Sequence, residues 1–503
     1  MIAIVVEVTK NDSALGESMG AVSYAYVRLD LEDKLESVRG KTLGEADTAN
    51  VFAITKTNPK VTGIAGDVVE QSILGYPPDS FQRPDIIVDG IPTEVKTTGL
   101  RPSKRGQGLE AKEPMSITAV SLNTIAAEAF ADSNFWHKVE HMLIVYYLYD
   151  SDTTVKAADY ANFPIKGYQF HEFDADEIAT LESDWQLVHD FVKRIQDEHP
   201  DEKEREQLYP LLSSALRKDL MLIDTAPKYP HPPRFRLKRS TVTAMARKNF
   251  GDSMEQLPRS YTSYAAIDTK LHSVSGIYTG KTIGETCNGF GIDPGSKNVA
   301  EQMIVRIFGA KGKMNRIELF SKIGLSTKSV ALTKEGKRTE DMKLFTIDFD
   351  EFANPDTTFE ESLFYEYFAN NQLLCVVYEE PSKDAPLTEN VLRGFKRLMF
   401  DDEFIETEVR PVWEKTRELI VSGTLKFVPS VSKKTGKPII NKTGVPKGAP
   451  NFPKSRHGLV FIRGTSTDST RKPEIVNGIA MYKQQVWVKG SYIAARLDEE
   501  PWI

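Results

Sequence analysis

Four segments from the first half of the chain return in the second half in the same order. "VEQSILG" is answered by "IVRIFG", and "EPMSITAVSLNTIA" by "EDMKLFTIDFDEFA". "HMLIVYYLYD" is answered by "QLLCVVYEEP", and "FRLKRSTVTAM" by "VWVKGSYIAAR". An ordered repeat of this kind means one folding unit used twice. The 503 residues agree, being too many for one ordinary core and enough for two or three domains. The expected layout is a first domain over 1–250, a linker over 251–285 and a second domain over 286–503.

Within the first copy, "QRPDIIVDGIPTEVKTTGLR" (residues 82–101) carries the chemistry. "PDIIVDG" alternates apolar residues up to a turn signal at Asp89-Gly90. "IPTEVKTT" alternates again, with Thr93, Val95 and Thr97 on one face and Glu94 and Lys96 on the other. Two short strands joined by that turn bring Asp85 close to Glu94, with Lys96 one pleat further along. Two carboxylates and a main-chain carbonyl, here that of Val95, suit a hard cation such as Mg²⁺. Such a cation neutralises a scissile phosphate and acidifies a bound water. A lysine beside it stabilises the extra charge of the transition state. By itself an Asp…Glu-x-Lys pattern is common by chance, so the surroundings decide.

Upstream, "GDVVEQSIL" has helical periodicity and carries Glu70. Downstream, "EPMSITAVS" reads as a strand, and "NFWHKVEHMLIVYYLYD" as a helix end running into a buried strand. Taken together, these patches resemble the MutH family of GATC-specific endonucleases, in patches from about Gly63 to Met245. The resemblance implies an α/β restriction-endonuclease-like fold of the PD-(D/E)xK type, built on a mixed sheet and here present as two tandem copies. It implies that Asp85, Glu94 and the carbonyl of Val95 hold Mg²⁺ and that Lys96 is the catalytic lysine. It also implies that Glu70 completes the metal or water network and that Lys138 is a second lysine near the scissile phosphate. The hairpin from Asp85 to Glu94 is longer than the family pattern, which leaves Asp89 as an alternative ligand. Pro84 and the strand pattern favour Asp85.

The second copy lacks this set. Ile304 falls where Glu70 was, Ser326 opposite Glu94 and Ala369 opposite Lys138, while Lys328 keeps the place of Lys96. Glu318 is expected near the Asp85 position, without a carboxylate partner. A cutting copy followed by a non-cutting one resembles a group of type II restriction endonucleases that cut before the G of GATC. In that group the second domain binds another copy of the site as an effector. A single-domain mismatch-repair nicking enzyme has no need of the second copy. A non-catalytic DNA-binding regulator has no need of Asp85, Glu94 and Lys96.

Charge is segregated. The net charge is −7, yet no Asp or Glu lies between Gly423 and Thr467, a stretch containing Lys433, Lys434 and Arg463. A second basic run holds Arg234, Arg236 and Lys238. A solvated face would explain either run alone; two loop-like runs suit a phosphate backbone. Double-stranded DNA is therefore the expected partner, contacted by Arg234, Arg236, Lys238, Lys433, Lys434, Arg463 and Lys489. The loop at Lys228 and "IRGTSTDSTRK", which resembles the family's base-reading loop, are the candidates for base contacts. With one active site per chain, cutting both strands needs two chains together or two successive nicks; a homodimer or DNA looping between two sites would serve the first. Cys287 and Cys375 are the only cysteines and provide no disulfide framework. With no apolar run long enough to span a bilayer, the expected setting is a reducing cytoplasm, away from membranes.

Overall fold

Asp89 and Gly90 both take left-handed backbone angles, φ 49° and 86°, as a two-residue hairpin turn requires. The computed structural model describes residues 4–7, 22–78, 82–103, 108–151, 155–226, 231–296, 298–338, 340–352, 357–360, 362–382, 385–432, 434–442, 444–466, 468 and 470–503. Two compact units emerge. The first takes in residues up to 266 together with 321–323, and the second takes in 267–320 and 324–503.

In the first unit the main sheet starts with β1 (Ile4–Glu7) and β2 (Val22–Tyr26). Next come β3 (Ile86–Val88) and β4 (Ile91–Pro102), the hairpin around Asp89-Gly90, with the short β5 (Leu109–Ala111) on the far end of β4. Strand β6 (Met115–Ala119) leaves this sheet, and β7 (Met142–Leu148) and β8 (Ile165–His171) complete it. The order is β1-β2-β3-β4-β7-β8, with β2/β3 and β4/β7 parallel. A second sheet pairs β6 with β10 (Arg234–Leu237) and β10 with β9 (Ile223–Asp224). One side of the main sheet is dry: Val95, Leu143 and Val145 pack with Leu31 and Leu35 of the helix Arg28–Val38 and with Val68 and Val69. The alternation of β4 fixes this, since Thr93 and Val95 share a face that Glu94 and Lys96 do not.

The second unit repeats these pairings. Strands β11 (Leu325–Leu332) and β13 (Gln372–Glu379) are parallel, as β4 and β7 are, and β13 is antiparallel to β14 (Val391–Leu398). A bulge follows Val377 on β13, four residues after Leu373; on β7 it follows Tyr146, four residues after Met142. A separate sheet pairs β12 (Met342–Thr346) with β20 (Gln484–Val488) and β20 with β17 (Val460–Gly464), matching β6-β10-β9. The remaining ribbons are β15 (Phe427–Pro429) with β16 (Gly448–Pro450), and β18 (Glu474–Val476) with β19 (Ile479–Met481).

The repeat also extends further upstream than the sequence comparison above. "GKTLGEA" (40–46) and "GKTIGET" (280–286) both begin at a left-handed glycine and close a capping box, Thr42 with Glu45 and Thr282 with Glu285. The amide of Gly40 donates to the Ile165 carbonyl at 2.8 Å and that of Gly280 to the Leu392 carbonyl at 2.9 Å, at matching places on β8 and β14. The stretch 251–285, expected as a linker, accordingly contains the helix Tyr264–Tyr278 and the start of the helix Ile283–Phe290, and the second unit gathers its residues from Ile267. A second correction concerns Glu318. It opens a short helix, Glu318–Ile323, directly before β11, and among the described residues no strand pairs with β11 as β3 does with β4. An Asp85 counterpart therefore has no strand to sit on.

Candidate active site

Strand β3 stops pairing at Ile86, opposite Thr93, so beyond that point β4 has no β3 backbone beside it. Asp85 fills the gap with its side chain: the Val95 N–H donates to Asp85 Oδ2 at 2.8 Å. On the other edge of β4, the Glu94 N–H donates to the His141 carbonyl at 2.9 Å. Backbone groups alternate along a strand, so the Val95 carbonyl faces the same edge as its N–H, toward Asp85 and away from β7. Asp89, the alternative ligand, sits in the hairpin turn, where its carboxylate accepts from the amide of Arg28 at 3.1 Å. That geometry leaves Asp85, and not Asp89, beside Val95.

Glu94 is only 1% exposed, and two ammonium groups meet it. Lys96 Nζ lies 2.6 Å from Oε1, while Lys138 Nζ lies 3.0 Å from both carboxylate oxygens. Lys138 comes from the helix Asn134–Val139, which is N-capped by Ser133 accepting from the Trp136 amide. That helix runs into β7, where Met142 pairs with Glu94 in parallel register. The register explains how a residue 44 positions away reaches this carboxylate. Burial holds the Glu94 carboxyl above its ordinary pKa range, while Lys96 and Lys138 pull it back down.

Glu70 lies in the π-helical turn Val69–Leu74, which continues the helix Ile64–Val68. Such widened turns concentrate at functional sites. This one ends at Gly75 (φ 89°), and the amides of Gly75 and Tyr76 both donate to the Glu70 carbonyl, at 2.8 and 3.0 Å. Burial, followed by repulsion from Asp85, pushes the Glu70 carboxyl up to about 7. Asp67 and Glu94 push in the same direction and Lys96 opposes them. Tyr76 was not anticipated from the sequence. It is 4% exposed, it stacks on Tyr24 with ring centroids 5.4 Å apart, and its hydroxyl has no hydrogen-bond partner among the described residues. The only sequence signal for it is its place directly after the helix-ending Gly75.

Among the described residues, no three acidic, His or Cys side chains form a ready metal cage. The donors are nonetheless the hard oxygens that a divalent cation takes: Asp85, Glu94, the Val95 carbonyl and Glu70. Mutual repulsion among the three carboxylates, together with the unsatisfied Tyr76 hydroxyl, fits a site completed by a cation and its waters. In the second unit the Glu94 position is Ser326, paired with Leu373 as Glu94 is with Met142. Lys328 donates instead to the Lys343 carbonyl at 2.9 Å.

The residues expected at DNA divide into two groups. Arg236 makes a two-pronged pair with Asp224 at 2.7 and 3.1 Å, and the Lys238 ammonium donates to the Leu220 carbonyl. Burial lowers the Lys238 pKa, opposed by Asp184, so this charge points into the unit and not toward a partner. Arg234 is exposed, with Nε donating to Ser116 Oγ at 2.6 Å. Arg463 is pinned by Asp341 at 2.7 Å and lies over the rings of Phe461 and Trp487, at 4.9 and 5.0 Å. Lys434 is exposed and Lys489 half-buried. Lys228 and Lys433 lie outside the described residues.

Comparison with known proteins bears on the first unit. Residues 74–184 match the family model described as DNA mismatch repair enzyme MutH. No curated protein matches the chain. The matched stretch contains Asp85, Glu94, Lys96 and Lys138, the residues that meet at β4. No helix among the described residues is long and apolar enough to cross a membrane. Residues 74–184 of the first unit are thus similar to the MutH family, a likeness that supports a DNA endonuclease of a kind that generally depends on a divalent metal.

Proposed function

We propose that the chain is a type II site-specific restriction endonuclease. It cuts double-stranded DNA at GATC, on the 5′ side of the G, by Mg²⁺-dependent phosphodiester hydrolysis that leaves 5′-phosphates. The second unit is a duplicated copy that no longer cuts and binds another copy of the site. The observation that carries this reading is the meeting of Glu94 with Lys96 and Lys138 beside Asp85. The target sequence and cut position come from the MutH-like resemblance, and the two-copy layout rests on the repeated strand pairings.

The roles follow from the chemistry. Asp85, Glu94 and the Val95 carbonyl hold the cation, which when bound supplies charge neutralisation and a more acidic water. Lys96 is the more exposed of the two lysines, 19% against 9% for the side chains, and it orients the attacking water and meets developing charge on the phosphate. Lys138 fixes the Glu94 carboxylate through both oxygens and adds positive charge at the scissile phosphate. Glu70 completes the metal or water network beside Asp85 and Glu94. Arg234, Lys433, Lys434, Arg463 and Lys489 contact DNA, with Arg463 oriented by its ring contacts for a base edge. Arg236 and Lys238 brace β10 from within.

Incubating the protein with plasmid DNA and Mg²⁺, then mapping the ends, tests activity, site and cut position together. Double-strand breaks before the G of GATC support the proposal. Single nicks alone would favour a mismatch-repair type of nicking enzyme, and binding without cleavage a regulator on a nuclease fold.

A further inference from the structure

The acid-free part of the second unit builds a forked ribbon. Its stem is β15 paired with β16, with Val428 opposite Ala449, extended by the Ser430 amide donating to the Lys447 carbonyl at 2.8 Å. There the stem divides. One branch pairs Val431 with Pro438, and the other pairs Ile440 with Pro446. Ile439 joins both: its amide donates to the Ser430 carbonyl at 2.8 Å, and its carbonyl accepts from Lys447 at 2.7 Å. Each branch carries a lysine and a left-handed glycine near its turn, Lys434 with Gly436 (φ 66°) in one and Lys442 with Gly444 (φ 80°) in the other. Lys434, Lys437 and Lys442 are exposed. So are the aliphatic side chains at the division: Val431 is 57% exposed, Ile439 37% and Ile440 52%.

Exposed aliphatic groups ringed by lysines, with no carboxylate in the segment, match one partner chemistry. DNA offers phosphates for the lysines and an apolar sugar and base-edge surface within the groove. A solvated loop would not need three aliphatic side chains in water at a point held by backbone hydrogen bonds. We propose that this fork grips duplex DNA: Lys434 and Lys442 at its two turns take phosphates, and Val431, Ile439 and Ile440 lie against the groove between them. The inference rests on the reading of the second unit as a DNA-binding copy and adds the element that does the holding.

The test uses the full-length chain and duplex DNA in EDTA, so that binding is read without cleavage. For Lys434→Ala/Lys442→Ala, the slope of log affinity against log salt should fall by roughly 2, with similar losses on all sequences. For Ile439→Ser/Ile440→Ser, affinity should drop about tenfold with the slope unchanged, because apolar contact is lost and no counterion is involved. All four side chains are exposed, so melting temperatures should stay at the wild-type value. Wild-type slope and affinity in both double variants would overturn the proposal. So would a loss of self-association in sedimentation by the Ile variant with DNA affinity retained, which would make the aliphatic patch a chain–chain contact. If wild-type protein binds DNA through the fork but never cuts it with Mg²⁺, the nuclease reading fails and the fork stands. Cleavage by protein whose fork variants bind normally gives the reverse.

Discussion

Glu70→Gln separates the carboxylate cluster from the rest of the fold. In the metal-free protein Glu70 is raised from 4.5 to about 7, chiefly by burial and then by Asp85. The folded state therefore holds a proton between those values that the unfolded chain has released. Linkage then makes stability fall as pH rises from about 4.5 to 7, with the full penalty present above 7. Each pKa unit corresponds to about 1.4 kcal/mol, which sets an upper limit near 3 kcal/mol for the shift. Glu70 is partly exposed, and solvent screening reduces this to about 1–2 kcal/mol. Glutamine keeps the shape and never ionises. The variant should match wild type near pH 4.5 and exceed it by that amount at pH 8, measured by urea unfolding in EDTA. Glu94 is raised as well and remains in both proteins, so the difference reports Glu70 together with its coupling to Asp85 and Glu94. Mg²⁺ should stabilise wild type more than the variant at pH 8, because the cation relieves the repulsion that glutamine has already removed. Parallel stability–pH curves for the two proteins would refute the carboxylate cluster.

Three further outcomes are expected. Asp85→Ala and Glu94→Gln should abolish plasmid cleavage while leaving filter-binding affinity for DNA within about threefold, because these groups act on the reaction and not on DNA affinity; cutting at the wild-type rate by either would reassign the site. Lys96→Ala and Lys138→Ala should each lower the single-turnover rate by about 10²-fold or more with little change in binding, and Lys138→Ala should also be less stable, since it removes a buried partner of Glu94. Plasmids with two recognition sites should be cut faster than one-site plasmids, and a short duplex carrying the site should activate the one-site substrate; equal rates, unaffected by the duplex, would leave the second unit as a clamp or brace.

Much of the site was legible because local periodicity determines which face a residue occupies. The Asp89-Gly90 turn and the alternation of "IPTEVKTT" were enough to place Asp85, Glu94 and Lys96 together. The loss of Glu94 in the second unit could be read in the same way, and the parallel register of β11 with β13 puts Ser326 at that position. The limits of the repeat were less legible, because "GKTLGEA" and "GKTIGET" are short and their likeness gains meaning only from matching hydrogen bonds to β8 and β14.

What the tertiary structure alone decided is where each charge is directed. Arg236 and Lys238 read as one basic run with Arg234, yet Arg236 pairs with Asp224 and the Lys238 ammonium donates to the Leu220 carbonyl. An ion pair across a sheet depends on strands that sequence spacing does not relate. The same holds for Lys138, which reaches Glu94 only because β4 and β7 pair in parallel, and for Glu70, whose neighbours Asp85 and Glu94 come from a different element. Sequence determined the local faces and turns, which depend on a few adjacent residues. The fold decided burial and register, which depend on contacts tens of residues apart.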